Sequence, residues 1–523
     1  MAWETGWIVR SMESGGGTPP PPERRGHNEP SPHDTYTSPL AARNASPEMC
    51  RIWSPRHKFQ TWRKIWLAVA EAQYEVTKDW DKPLVTPEQI EELRANLEVT
   101  DEDLALAAKY EAELRHDVMA HVHAWGDKCP KARPIIHLGM TSQDVVCNAD
   151  LLTLSYATGL IGKKLIRLLM AFGNEAQNYK GLPCLGFTHY QTAQPVTVGR
   201  RLAGYAYEID LSLLLIDELT GYRIFLRGLR GATGTQASFL NLMNGDAAKV
   251  DALEKEFRNK FGDVIDYDDV YMLTGQTYPR MVDTVILSNL ASIAAVLHKI
   301  ATDIRLLSNR KEIDEPFGKN QIGSSAMPYK RNPMKCERIC GLTRFVMNLV
   351  GNAYDTAATQ WLERTLDDSS NRRLSLPEAF LALDGALDLM HQVASGLVVN
   401  EAMVRKNLMA ELPFLATENI MMEAVKTGGD RQDLHEKIRV HAQAAGMRVK
   451  QEGLDNDLIE RLKADPAFKS VHHLLTEDQL LDPMKYVGRS VEQTERFLRE
   501  VVEPLRERYA DELEKLGSSD RGV

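Results

Sequence analysis

The groups in this chain that could do chemistry are gathered in a few short blocks. The densest is Gly323-Ser324-Ser325-Ala326-Met327-Pro328-Tyr329-Lys330-Arg331-Asn332-Pro333. A glycine and two serines make a hydrogen-bonding loop. Asn332 before Pro333 predicts the N-cap and first turn of a following helix. The positive end of that helix, with Lys330 and Arg331 just ahead of it, would favour an anion. A plain loop–helix junction would read the same way. In Gly186-Phe187-Thr188-His189-Tyr190-Gln191-Thr192-Ala193-Gln194-Pro195, one imidazole stands in a polar turn before a long helix. His189 there is suited to proton transfer near neutral pH, though a lone histidine often serves as a cap or core residue. Arg115-His116-Asp117-Val118-Met119-Ala120-His121-Val122-His123 holds three imidazoles. The spacing of a metal-binding H-E-x-x-H helix is missing, and His121 and His123 would face different sides of a helix. Around Arg364, Arg372 and Arg373, the segment from Trp361 to Arg373 could bind an anion. It could equally be a solvated face paired with Asp367 and Asp368.

The elements that must position these blocks are helical. Val282, Ile286, Leu290, Ile293, Leu297, Ile300, Ile304 and Leu307 recur at steps of three and four, which predicts about seven turns of helix. Residues 57–79, 150–179, 196–227 and 334–363 read as further helices. Pro87 opens another, with Thr86 as its N-cap. Strand-like alternation is scarce. The expectation is an all-α protein with an extended bundle whose apolar faces are buried between subunits. At 523 residues the chain is too long for one core. The division expected is a Gly/Pro-rich disordered tail over 1–35, a helical domain over 36–141, a long-helix domain over 142–399 and a helical domain over 400–523.

Composition excludes several classes. A net charge of −10 without a basic run argues against a nucleic-acid or membrane-surface footprint. No uninterrupted apolar run reaches the roughly 18 residues of a membrane span, and Trp3, Glu4 and Trp7 do not form a signal-peptide core. Cys50, Cys129, Cys147, Cys184, Cys336 and Cys340 include no C-x-x-C pair, which fits reduced thiols and a cytoplasmic location. Cys336 and Cys340 lie one turn apart, and two thiols make a weak metal site. No P-loop or dinucleotide glycine fingerprint calls for a cofactor.

Taken together, the blocks resemble those of a known group. Gly323–Pro333 is similar to the G-S-S-x-M-P-x-K-x-N-P signature of the fumarase/aspartase superfamily, and Thr188–Pro195 to its T-H-x-Q-x-A-Q-P block. Arg115–His121 resembles R-H-D-V-M-A-H, Thr141–Asp144 resembles T-S-x-D, Thr274–Tyr278 resembles T-G-Q-T-Y, and Trp361–Arg373 resembles W-x-E-R-T-L-D-D-S-x-N-R-R. Those blocks point to the adenylosuccinate lyase family in its animal and fungal form. Argininosuccinate lyases share the loop but lack two of them. The resemblance runs from about Ser38 to about Pro504. It implies a three-domain helical fold, a homotetramer with sites shared between subunits, small nucleotide substrates, no cofactor and no metal. Carried over residue by residue, it makes Ser324 the base and His189 the acid, with His116 and Lys330 assisting. The implied substrate contacts are Arg43, Arg115, Asp117, Thr141, Ser142, Gln276, Ser325, Asn332, Arg338, Arg364, Ser369 and Arg373. Asn44 stands where the family often has Tyr after the matching Arg. A scaffold that has lost catalysis is the alternative from another class, and the retention of Ser324, His189, Lys330 and Asn332 argues against it.

Overall fold

Proline and short polar side chains set where the first helices begin. The computed structural model describes residues 34–222, 224–265, 270–476 and 482–516. The tail expected to be disordered lies almost wholly outside them. Helices α1 (Pro47–Ile52) and α2 (Pro55–Thr77) each open on a proline behind a serine whose hydroxyl accepts a backbone N–H. In α3 (Pro87–Ala95) the expected Thr86 cap is completed into a capping box by Gln89, and Thr100 with Asp103 does the same for α4 (Asp101–Leu114). An imidazole caps α5 (Asp117–Lys128): His116 Nδ1 accepts from the Met119 N–H at 3.3 Å.

The long helices follow the 3.6-residue pattern. They are α6 (Ser142–Asn178) and α7 (Val198–Tyr222), then, after the short α8 (Ala237–Leu242) and α9 (Ala247–Asn259), α10 (Met281–Asn309), α11 (Met334–Ala358) and α12 (Asp368–Ser395). All eight apolar residues of the α10 stripe are buried in the main core, with side chains from the other four long helices. Among the described residues, strands are confined to two small antiparallel pairs. The hairpin β1 (Pro183–Thr188) and β2 (Gln191–Thr197) joins α6 to α7, while β3 (Ile313–Asp314) pairs with β4 (Val398–Val399). A second core packs α2, α3, α5 and α9 around Trp62, Trp66 and Trp125. Beyond α13 (Glu401–Leu415), a third joins α14 (Thr417–Lys426), α15 (Arg431–Glu452) and α16 (Leu458–Ala464).

Cross-links between helices fix their directions. His298 bonds Thr343 at 3.0 Å and Ser288 bonds Tyr354 at 3.3 Å, so α10 and α11 run antiparallel. Tyr205 donates to Asp303 across antiparallel α7 and α10. Arg372 reaches Asp150 while Lys164 and Arg167 reach Asp388, so α6 and α12 run parallel. Lys164 also pairs with Asp384, which accepts from the Ser46 N–H and hydroxyl. The bundle therefore has two distinct ends. One holds the starts of α6, α10 and α12. The other holds the hairpin, the end of α10 and the start of α11.

By length and composition α6 and α10 could each cross a membrane, although their apolar residues do not form one uninterrupted run. Within their most apolar stretches 78% of α6 is buried but only 50% of α10. These are core helices, and the exposed positions along the middle of α10 are small or charged residues such as Ser292, Ala295 and Lys299.

Candidate active site

A cleft of about 300 Å³ opens at the first end of the bundle, between the entry to α2, the start of α5, the start of α6 and the start of α12. His116, Asp117, Ser142, Arg364, Ser369 and Arg373 line it. Each is held from behind. Thr141 and Asp144 form the capping box that starts α6, and the Asp144 carboxylate also accepts from Arg227 and from the Arg230 and Gly231 N–H groups. Ser142 is left facing the cleft, 3.3 Å from His116 Nε2. Since His116 Nδ1 accepts the cap bond, the fitting tautomer carries its proton on Nε2 and donates it to Ser142. Asp117 bonds Arg373 at 3.2 Å. Arg364 donates to Gln276 at 2.9 Å and to Ser369 at 3.2 Å, so Gln276 belongs to the same cluster. Gln143, in the orientation that satisfies both ends of its amide, accepts from this guanidinium at 2.9 Å.

Beneath the cleft lies a buried ionic lattice, of which the motif reading named Arg372, Asp368 and Tyr278 but not Asp150, Arg280 or Asp283. Arg372 donates to Asp283 at 2.7 Å and to Asp150 at 3.0 Å. Tyr278 donates to Asp283 at 2.6 Å, and Arg280 holds Asp368 at 2.8 Å. The Tyr278 ring has the Arg280 and Arg372 guanidiniums 4.5 and 5.3 Å from its centroid. Burial drives the Tyr278 hydroxyl well above its usual pKa, keeping it a neutral donor. Because Asp368 and Arg372 immediately precede Ser369 and Arg373, this lattice sets the height and rotation of the turns that face the cleft. The available sequence signal was Asp283, a carboxylate set among the apolar residues of the α10 pattern.

The remaining expected site residues stand elsewhere. His189 and Tyr190 form the two-residue turn of the hairpin, with φ of 52° and 58°. A turn with both central residues left-handed suits the twist of the strands, but it strains a tyrosine. Both side chains are exposed, and Tyr190 OH reaches the Leu306 carbonyl near the end of α10 at 3.5 Å. Ser324, Ser325, Lys330 and Asn332 lie in the loop before α11, and Arg338 lies in that helix's second turn. The 29 residues of α10, at 1.5 Å each, put these groups roughly 40 Å from the cleft. Arg43 is exposed on a turn whose Asn44 packs against Gly385, in the middle of α12, and is not among the cleft residues. The Asn44 amide donates to the Pro39 carbonyl of its own turn. Arg115 closes α4 with a left-handed φ of 55°, adjacent to His116.

The N-terminus of α11 differs from expectation. Asn332 does not cap it; its amide donates to the Gly323 carbonyl at 2.9 Å. The Lys335 and Cys336 N–H groups are instead taken by the Glu315 carboxylate, at 3.0 and 2.9 Å. An anion already occupies this helix end, so it does not supply the field expected around Ser324. The loop supplies its own donors: Ser324 Oγ accepts from the Ala326 and Met327 N–H groups at 3.4 and 3.1 Å. The three nearby imidazoles also diverge. His116 faces the cleft, His123 stacks on Tyr110 and His121 stacks on Phe59 at 3.7 Å, where burial lowers its pKa to about 4.

This long-helix bundle with a guanidinium-lined cleft belongs to the lyase class of the fumarase/aspartase superfamily. A lyase family model matches residues 42–348, more than half of the chain. The backbone is similar to 3-carboxy-cis,cis-muconate lactonizing enzyme from Pseudomonas putida, with a TM-score of 0.75 at 25% identity over 89% of this chain and 99% of the other. Within that class the chain belongs to the adenylosuccinate lyase family, whose C-terminal model matches residues 413–497, and it is a C–N lyase. It is 47% identical to the adenylosuccinate lyase of Saccharomyces cerevisiae, over 92% of this chain and 99% of the relative. To that of Schizosaccharomyces pombe it is 49% identical, over 90% and 95%.

Proposed function

We propose that the protein cleaves adenylosuccinate to AMP and fumarate, and succinylaminoimidazole carboxamide ribotide to its amine and fumarate, as a cytoplasmic homotetramer. The observation that carries this reading is the cleft in which Arg364, Ser369 and Arg373 converge with His116, Asp117 and Ser142. It offers cations and hydroxyls to a phosphorylated substrate. Ser324 Oγ removes a proton from the carbon β to the leaving nitrogen, and the electron pair delocalises into the neighbouring carboxylate. The C–N bond then breaks as His189 protonates the nitrogen. The Ala326 and Met327 N–H groups and Lys330 support the alkoxide form of Ser324. His116 orients the substrate.

Two facts support sharing of the site between subunits. The roughly 40 Å between the cleft and the His189 and Ser324 turns exceeds the span of a nucleotide several times over. Both ends also expose apolar side chains that a partner would cover: Trp361, Leu362 and Leu366 at one, Tyr190, Ile322 and Tyr329 at the other. Incubating the purified, metal-free protein with adenylosuccinate tests the reaction. AMP and fumarate should appear in equal amounts, and a folded protein that yields neither would overturn the assignment. Sedimentation tests the tetramer.

A further inference from the structure

Lys58 lies in the first turn of α2 and lines the cleft. Its position is unfavourable for a cation on three counts. The turn holds no acidic residue, and Arg56, His57 and Lys58 crowd the positive end of the helix dipole. The side chain is half-buried, and burial is the main cause lowering its pKa, with the Arg373 charge adding to it against Asp150, Asp117 and Glu111. No carboxylate lies within ion-pair distance of it among the described residues. Besides those more distant carboxylates, the faces of Phe59 and Trp62, 5.1 and 4.9 Å from Nζ, partly offset these costs.

Every other cation lining the cleft is engaged by protein. Arg280 holds Asp368, Arg372 holds Asp283 and Asp150, and Arg373 holds Asp117. Arg364 is spread over Gln276, Ser369 and Asp368. The surplus positive charge of the cleft therefore rests on Lys58, beside Arg373. We propose that Lys58 is a further substrate-binding residue, whose ammonium takes the phosphate monoester of the nucleotide together with Arg373. A dianion placed between two cations removes their mutual repulsion, which a singly charged carboxylate does only in part. Aromatic faces hold the ammonium without neutralising it, leaving its charge available to the ligand.

This assignment rests on the proposed activity, and its test separates the two. Lys58→Met keeps the length and the apolar stem over the rings. With adenylosuccinate it should raise KM about tenfold while kcat stays within about twofold, as for loss of a contact made equally in ground and transition states. The inhibition constant of inorganic phosphate should rise by a similar factor, and Lys58→Arg should recover most of both. A raised KM with unchanged phosphate inhibition would overturn the proposal by placing Lys58 at the succinyl end. So would unchanged values throughout, or a fall in kcat with no change in phosphate affinity. Should the wild-type protein fail to turn over adenylosuccinate, calorimetric titration of AMP into wild-type and Lys58→Met protein still decides the phosphate contact.

Discussion

Where α12 begins, Arg372 and Arg280 grip their carboxylates in the dry core, and Ser369 and Arg373 stand on the same two turns facing the cleft. Where α10 ends, His189, Tyr190 and Lys330 ride on exposed turns, two of them in a left-handed backbone conformation. The first arrangement is preorganised within one chain. The second is unfinished there, with polar groups and apolar side chains presented outward. Under the proposed mechanism, binding and proton transfer make different demands on the same bundle. A substrate anion needs cations that do not move, and these are costly to hold, so they are braced from the interior. On the proposed shared site, groups that meet a second subunit have to stand at the surface.

The contrast can be broken experimentally. The largest effect should come from Ser324→Ala, or His189→Ala, lowering kcat by at least about a thousandfold with little change in KM, read by steady-state kinetics. Mixing Ser324→Ala with His189→Ala subunits should restore activity if different subunits supply them. Mixing Ser324→Ala with Arg364→Ala joins the two ends directly; on random assembly it should recover roughly a quarter of wild-type activity. No recovery in the second mixture would sink the shared site. Next in size is Arg372→Met, which strands Asp283 and Asp150. It should cost about 3–5 kcal/mol in denaturant unfolding and weaken substrate binding as well. Arg364→Ala should raise KM about tenfold or more with kcat largely kept, since it removes a charge-assisted contact worth about 1.5–3 kcal/mol. The smallest effect should be that of Glu315→Gln, which loosens the cap on α11 by about 1 kcal/mol; an unchanged melting temperature would show that the cap contributes nothing.

How much of this was legible beforehand depended on whether the deciding forces were local. The α10 stripe and the Thr86 cap are set by residues within a turn or two of each other, and they appear as read. Asn332 failed as a cap because a carboxylate seventeen positions earlier, Glu315, reaches the same N–H groups. Nothing in the spacing of the blocks could place His116 and His189 at opposite ends, since that follows from the directions of five helices. Arg372 and Asp283 are distant in sequence, as are Arg280 and Asp368, and each pair meets only once the bundle forms. Lys58 escaped notice because its importance lies in what it lacks, a partner carboxylate.

The loop before α11 is fastened at more points than its exposed surface suggests. β3 anchors its start, Glu315 ties that start to the helix at its end, and Asn332 binds Gly323, where any Cβ would meet the Lys330 carbonyl at 2.2 Å. The stretch from Ser324 to Tyr329 is therefore a small lobe with a pinched neck rather than a free strand. A tethered lobe has few conformations to give up when it settles over a bound molecule, so the entropy of closing is largely lost when the chain folds. Motion at this site should resemble the swing of a stiff flap about its neck, with the serine carried as a passenger.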